Sequence, residues 1–182
     1  MNLPNKLSFV RVFIIPVIVI IYYLDPEKLT LNLYSYLIGA LFVVASITDY
    51  LDGYIARKNN LVTTFGKFID PLADKLLVMT ALLIFQELAL IPMWAVLVIL
   101  TREFIVTGIR LVSSGEGTVI AASKLGKYKT ASTMVALTLL FFRFNDIILT
   151  TGLVIFYIGV TLTVVSGIDY FIKNKEPLLK SK

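Results

Sequence analysis

Six long apolar segments run through this chain and constrain its fold more than any other feature. Their predicted limits are Leu7–Leu24, Leu33–Ala56, Pro71–Gln86, Pro92–Val112, Lys129–Phe142 and Ile147–Ile172. Several are close to the roughly 20 residues that a helix needs to cross a bilayer. Because hydrocarbon offers no hydrogen-bond partner, a segment inside it must be helical to satisfy its own backbone. The sequence therefore predicts an all-α integral membrane protein with six transmembrane helices in one domain, residues 1–182.

The composition supports this fold class and narrows the chemistry. Charged residues make up 16% of the chain, against about 25% in soluble domains. The sequence contains neither cysteine nor histidine, which excludes disulfides, thiol nucleophiles and imidazole bases. Catalysis would have to use carboxylates, lysines, hydroxyls or metal-bound water, and carboxylate ligands favour hard cations such as Mg²⁺ or Mn²⁺.

The basic residues fall mainly on one predicted side of the membrane. The net charge is +5, and we interpret it as retention of cations in cytoplasmic loops, not as a nucleic-acid site. This distribution predicts a multi-pass protein of the cell membrane, with both termini and the active site on the cytoplasmic side. The residues on the basic side are Lys6, Arg11, Arg57, Lys58, Lys67, Lys124, Lys127, Lys129, Lys173, Lys175, Lys180 and Lys182.

Four aspartates form the most informative pattern in the sequence. Asp49 and Asp52 are three residues apart, so they share one face of the second predicted helix. Asp70 and Asp74 are four residues apart and share one face of the third. A short basic connection, predicted at Lys58–Ile69, makes the two helices antiparallel neighbours. We therefore expect the four carboxylates to converge near the cytoplasmic face of the membrane.

Such a cluster needs positive charge nearby, because carboxylates at the edge of hydrocarbon repel one another and are costly to desolvate. One or two divalent cations would supply it, and two would suit a phosphoryl-type transfer by holding the attacking and the leaving oxygens. The alternative is that the acids cap helix ends or face water. Asp70 followed by Pro71 resembles an N-cap with proline in the first turn. For the four acids together we favour the metal site, because acids within a membrane are functional by default.

The stretch from Asp49 to Asp74 resembles the signature of the CDP-alcohol phosphotransferases. That signature reads D-x-x-D-G-x-x-A-R, eight residues, and G-x-x-x-D-x-x-x-D. The chain fills every fixed position, with the segment from Lys58 to Phe65 as the spacer. The matching residues are Asp49, Asp52, Gly53, Ala56, Arg57, Gly66, Asp70 and Asp74.

The resemblance implies a six-helix homodimer that transfers a substituted phosphoryl group from a CDP-activated lipid to an alcohol. It implies two Mg²⁺ or Mn²⁺ ions, held by the first three aspartates together with Asp74, that grip the CDP pyrophosphate. It also implies that Asp74 acts as general base on the acceptor hydroxyl. The small residues Gly53, Ala56 and Gly66 would make room for the nucleotide. Arg57 would contact its phosphates.

A second group of basic residues predicts where the acceptor binds. Arg110 lies inside the fourth apolar segment, seven residues after Glu103, so the two share one face. An arginine buried there needs an anion or another partner. Together with Lys124 and Lys127 in the following loop, it would bind an acceptor that carries a phosphate. For Lys129 we favour ordinary cytoplasmic charge, with an accessory role at the site as the alternative.

Likeness to family members that use glycerol 3-phosphate extends over three further stretches, NLPNKLSFVR, TREFIVTGIRLV and AASKLGKYKT. It implies transfer of a phosphatidyl group from CDP-diacylglycerol to sn-glycerol 3-phosphate, giving phosphatidylglycerophosphate and CMP. Asn5, Ser8 and Arg11 would lie at the cytoplasmic start of the first helix, either as accessory site residues or as helix caps and interfacial anchors. Ser8 and Thr133 depart from the threonine and the glutamine that are usual at their positions.

Two rival functions remain open at this point. The first is the same chemistry with another acceptor, such as inositol phosphate, serine or phosphatidylglycerol, which the metal site does not distinguish. The second is a divalent-cation transporter that uses the acids as its ion path. Against the transporter, the acids cluster near one membrane face and no inverted repeat is apparent in the sequence.

Overall fold

The computed structural model describes residues 3–25, 32–58, 64–115 and 124–173, with side chains for 10–25, 32–49, 72–110 and 125–173. These ranges form six helices and contain no strand. The helices are α1 (Leu3–Leu24), α2 (Leu33–Lys58), α3 (Thr64–Glu87), α4 (Met93–Gly115), α5 (Lys124–Phe141) and α6 (Asp146–Lys173). The predicted all-α fold with six helices is thus confirmed for the described ranges.

An aromatic cluster near the C-terminal ends of α3 and α5 joins three helices. The ring of Phe141 on α5 lies 4.5 Å from that of Phe85 on α3 and 5.3 Å from that of Phe42 on α2. All three side chains are buried. Helix α1 packs mainly on α2 and α3, whereas α6 packs on α5 and α4. Each of the other four helices therefore packs against α3 or α5, which carry much of the site described below.

Helices α5 and α6 approach each other closely at Gly159. A Cβ added at this glycine would lie 3.1 Å from the hydroxyl oxygen of Ser132 and 3.2 Å from that of Thr133. Small residues at such crossings let two backbones pack together. The contact fixes the first turns of α5, which carry Lys129.

The outer surface of the bundle is largely apolar, as expected for helices in contact with lipid. Within the described ranges, α6 is long and apolar enough to cross a membrane, and Val10–Leu24 and Leu33–Asp49 are shorter apolar stretches. The number of spans stays a prediction. Exposed apolar side chains include Phe13, Ile20, Leu37, Val44, Leu83, Leu97, Phe104, Val154 and Ile168.

Helices α3 and α5 begin earlier than the apolar pattern predicted. Helix α3 starts at Thr64, so the predicted connection Lys58–Ile69 is too long, and α5 starts at Lys124. Apolarity marks only the part of a helix that lies in hydrocarbon, whereas polar residues continue the same helix beyond it. The interpretation of Asp70 as an N-cap is wrong, because this residue lies inside α3. Lys127 is likewise helical, not part of a loop.

The turn after α3 is a Schellman motif with alanine at the left-handed position. Ala89 has a φ of 55°. The N–H of Leu90 donates to the carbonyl of Phe85, and that of Ala89 to the carbonyl of Gln86, both at 3.0 Å. These bonds satisfy the last carbonyls of the helix, and glycine is the usual residue at this position. A Cβ in the left-handed region costs about 1–2 kcal/mol.

Replacing Ala89 with glycine should therefore stabilise the protein by about 1 kcal/mol. For a chain of this length, that gain corresponds to a rise in Tm of about 2–4 °C, measured by thermal unfolding in detergent. Ala40→Gly, at an exposed position inside α2, is the matched control and should lower Tm, since glycine costs about 1 kcal/mol within a helix. An unchanged or lower Tm for Ala89→Gly would contradict this account of the turn.

Candidate active site

The helices that carry the aspartate signature bring two of its carboxylates together. Helices α2 and α3 pack against each other, and Asp49 on α2 lies close enough to Asp74 on α3 for their charges to act on each other. The side chain of Asp49 is 34% exposed, and that of Asp74 is partly buried. Two like charges in this setting favour the binding of a cation.

A buried arginine from α1 forms an ion pair with one of these two acids. Arg11 is fully buried, and its Nη1 donates a hydrogen bond of 2.6 Å to Oδ1 of Asp49. Its charge also acts on Asp74, as does that of Lys75. A charge-assisted bond from a planar guanidinium fixes the orientation of the carboxylate. Arg11 thus faces the aspartates and not the membrane interface, which favours the accessory site role over that of an anchor.

Asp74 lines a pocket between α3, α4 and α5. The space between its lining atoms is about 490 Å³ when the solvent at its open mouth is included. Apolar side chains, among them Val78 and Ile99, form much of its wall. Its polar lining comes from Asp74, Lys75, Glu103, Lys129, Thr130 and Thr133.

A partly buried ion-pair network of Glu103, Lys129 and Arg102 lies at the wall of this pocket. The Nζ of Lys129 lies 2.5 Å from Oε1 of Glu103, and Nη1 of Arg102 lies 3.0 Å from the same oxygen. Lys129 is only 5% exposed, which favours the accessory role at the site over ordinary cytoplasmic charge. Glu103 had no predicted role from the sequence pattern. The signal that could have found it is an acid inside an apolar segment, which is a candidate functional residue in a membrane helix.

A sequence model of the CDP-alcohol phosphatidyltransferase family matches residues 1–165, which include the four aspartates and every residue of the pocket. The chain belongs to the CDP-alcohol phosphatidyltransferase family. Members of this family are membrane-embedded enzymes of lipid synthesis and generally depend on a divalent metal.

Curated relatives match over nearly the whole chain. A Bacillus subtilis protein is 47% identical, over 99% of this chain and 98% of its own length. A Haemophilus influenzae protein is 37% identical over 98% of this chain and 96% of its own. An Escherichia coli protein is 33% identical over 98% of this chain and 97% of its own. All three are named CDP-diacylglycerol–glycerol-3-phosphate 3-phosphatidyltransferase.

The aspartates that the structure describes fit the metal requirement of the CDP-alcohol phosphatidyltransferases. Asp49 and Asp74 offer hard oxygen donors from neighbouring helices, and the chain has no histidine or cysteine that would favour a softer metal. No group of three or more possible ligands gathers among the described side chains. Asp52 on α2 and Asp70 on α3, the other two predicted ligands, have side chains outside that set.

The remaining predicted site residues lie on helices, with side chains outside the described set; Gly66 and Lys124, predicted in connections, are helical. Of the signature, α2 carries Gly53, Ala56 and Arg57, and α3 carries Gly66. Helix α1 carries Asn5 and Ser8, and α5 carries Lys124. Their roles stay predictions.

The predicted acceptor residues Arg110 and Lys127 do not line the pocket that contains Asp74. Both are exposed, so the expectation of a buried Arg110 is wrong. Its Nε donates to the hydroxyl of Tyr170 at 3.2 Å, and its guanidinium lies 5.6 Å from the centre of that ring. Seven residues of helix separate Arg110 from Glu103 by about 10 Å along the axis, which takes it beyond the pocket.

Proposed function

We propose that the chain transfers the phosphatidyl group of CDP-diacylglycerol to sn-glycerol 3-phosphate, forming phosphatidylglycerophosphate and releasing CMP. The observation that carries this proposal is that Asp74 opens into a pocket that also contains Lys75 and Lys129. A carboxylate suits a hydroxyl that must lose a proton, and ammonium groups suit a phosphate on the same small molecule. The names of the three bacterial relatives support the same donor and acceptor.

The proposed reaction moves one proton and exchanges one P–O bond. The carboxylate of Asp74 takes the proton of the acceptor hydroxyl, whose oxygen attacks the phosphorus that bears diacylglycerol. The bond between that phosphorus and the CMP oxygen breaks, and CMP leaves with the electron pair.

The four aspartates, Asp49, Asp52, Asp70 and Asp74, would hold two Mg²⁺ or Mn²⁺ ions. When bound, such ions would neutralise the pyrophosphate and stabilise the charge that develops on CMP. The chain itself contributes placement: α2 and α3 each carry two of the acids, and Arg11 holds Asp49 from α1. Around them, Gly53, Ala56, Arg57 and Gly66 would bind the CDP moiety, as the family resemblance implies.

The phosphate of the acceptor would bind inside the pocket, to Lys129 and Lys75. Lys129 is buried and lines the pocket from α5, and Lys75 follows Asp74 on α3. Arg110 and Lys127, both exposed, would instead attract the anionic acceptor from outside, since exposed cations raise the local concentration of an anion. This division of roles revises the prediction that the exposed group binds the phosphate directly.

The protein would work as a homodimer in the cell membrane, as one domain over residues 1–182, with its termini and site facing the cytoplasm. The basic start of α5, with Lys124, Lys127 and Lys129, supports the orientation through the positive-inside rule. The dimer rests on the family resemblance alone.

The proposal is tested by the release of CMP from CDP-diacylglycerol in mixed micelles containing Mg²⁺. We expect release to require glycerol 3-phosphate, and to be at least about tenfold faster with it than with glycerol, serine, phosphatidylglycerol or inositol 3-phosphate. An acceptor without a phosphate would lose the contact with Lys75 and Lys129. Chelation of the metal is the control and should stop release.

Two results would contradict this assignment. Equal or faster release with inositol 3-phosphate would overturn the choice of acceptor. Flux of divalent cations into vesicles, without any release of CMP, would favour the transporter.

A further inference from the structure

Glu103 is the centre of the ion-pair network and joins two cations to each other. Its Oε1 accepts from Lys129 on α5 and from Arg102 on its own helix. Arg102 is fixed in turn by α6, because its Nη2 donates to the hydroxyl of Ser166 at 3.3 Å. A Cβ on Gly167 would lie 3.0 Å from Cγ of Arg102, so this glycine lets the arginine stem pack against α6. The network therefore joins α6 to the wall of the pocket.

The ammonium of Lys129 has more donors than its partners use. An ammonium carries three N–H donors, and the described residues supply one acceptor, Oε1 of Glu103. Lys129 is 5% exposed and lines the pocket. A buried ammonium with donors to spare suits an anionic ligand that enters this pocket.

The net charge of the ion-pair network favours an anionic ligand. Glu103 alone would repel a phosphate, but with Arg102 and Lys129 the network carries one net positive charge. Arg102 thus offsets the carboxylate, which lets Glu103 hold Lys129 in place without cancelling the attraction of Lys129 for an anion.

We propose that Glu103 is a positioning residue for the acceptor: it holds the ammonium of Lys129 at the pocket wall, where this ammonium contacts the phosphate of glycerol 3-phosphate. The inference rests on the proposed function and extends it to a residue outside the aspartate signature. Without the carboxylate, Lys129 is free to turn away from the wall, and the acceptor loses its phosphate contact while the donor keeps its own.

The test compares Glu103→Gln with Glu87→Gln, the same change at an exposed position at the end of α3. For Glu103→Gln we expect the KM for glycerol 3-phosphate to rise roughly 10- to 100-fold, with the KM for CDP-diacylglycerol unchanged. Glu87→Gln should alter neither. If Glu103→Gln does not fold, Glu103→Asp replaces it; this variant keeps the charge, shortens the reach by one methylene and should raise the same KM.

A double variant of Glu103 and Lys129 distinguishes a positioning role of Glu103 from a structural one. If Glu103 acts through Lys129, the double variant Glu103→Gln/Lys129→Met should have about the same KM for glycerol 3-phosphate as Lys129→Met alone. Multiplied effects in the double variant would overturn the inference. So would a fall in Tm accompanied by equal changes for both substrates. A wild-type protein that releases no CMP with glycerol 3-phosphate would reject the proposed function, and this inference with it.

Discussion

Replacing Asp74 with asparagine is expected to slow transfer by about 100- to 10,000-fold, the usual contribution of a general base. Asparagine keeps the size of the side chain but does not take up the proton of the acceptor hydroxyl. Because the other three aspartates remain, we expect the variant still to bind CDP-diacylglycerol. Turnover is measured by release of CMP, and donor binding by titration of the purified protein.

The matched control for this variant is Asp169→Asn on α6, which removes a carboxylate whose partner is the exposed Lys173 at 2.6 Å. It should retain near-normal turnover, since exposed ion pairs contribute little. Near-normal turnover in Asp74→Asn would reject the general-base role. Loss of donor binding together with turnover would assign Asp74 to the donor site instead.

Replacing Arg11 with methionine should have the second largest effect, a loss of about 10- to 100-fold in turnover, as expected for a residue that orients a metal ligand. The change removes the hydrogen bond to Asp49 and leaves that carboxylate beside Asp74 without its buried cation. A lost charged hydrogen bond of this kind also costs on the order of 2 kcal/mol of stability. The turnover of Arg11→Lys should lie between those of Arg11→Met and the unchanged protein, because lysine keeps the charge but not the planar fork.

Arg143→Met separates the loss of activity from the loss of stability. Arg143 lies between α5 and α6 and donates to the carbonyl of Leu140 at 3.0 Å, at the end of the bundle away from Asp74. This variant should lower Tm while its turnover stays close to that of the unchanged protein. If Arg11→Met were as active as Arg143→Met, Arg11 would have no role beyond stability.

The helices, and the helix on which each aspartate lies, followed directly from the sequence. Length and apolarity dictate helices in a membrane, and the spacings of three and four residues place each pair of acids on one helical face. Asp49 lies near enough to Asp74 for their charges to interact because α2 and α3, joined by a short connection, pack against each other. Apolarity does not show where a helix ends outside the hydrocarbon. For this reason the start of α3 was predicted too late.

The contacts of the cations did not follow from the sequence. Arg11 reaches Asp49 across 38 residues of chain, and Lys129 reaches Glu103 across 26. Such pairs depend on how each helix rotates about its axis within the bundle, which packing of many side chains decides. Spacing along α4 favoured Arg110 as the partner of the acceptor, whereas tertiary packing placed Lys129 in the pocket and left Arg110 exposed.

The most direct measurement of the central claim follows the oxygen of the acceptor hydroxyl. Glycerol 3-phosphate is prepared with a heavy oxygen isotope at the hydroxyl of its first carbon, and the products are analysed by mass spectrometry. If that oxygen attacks the phosphorus that bears diacylglycerol, the label appears in the phosphatidylglycerophosphate and the CMP is unlabelled. Label in a cytidine-containing product, or a lipid product without label, would contradict the transfer proposed for this pocket.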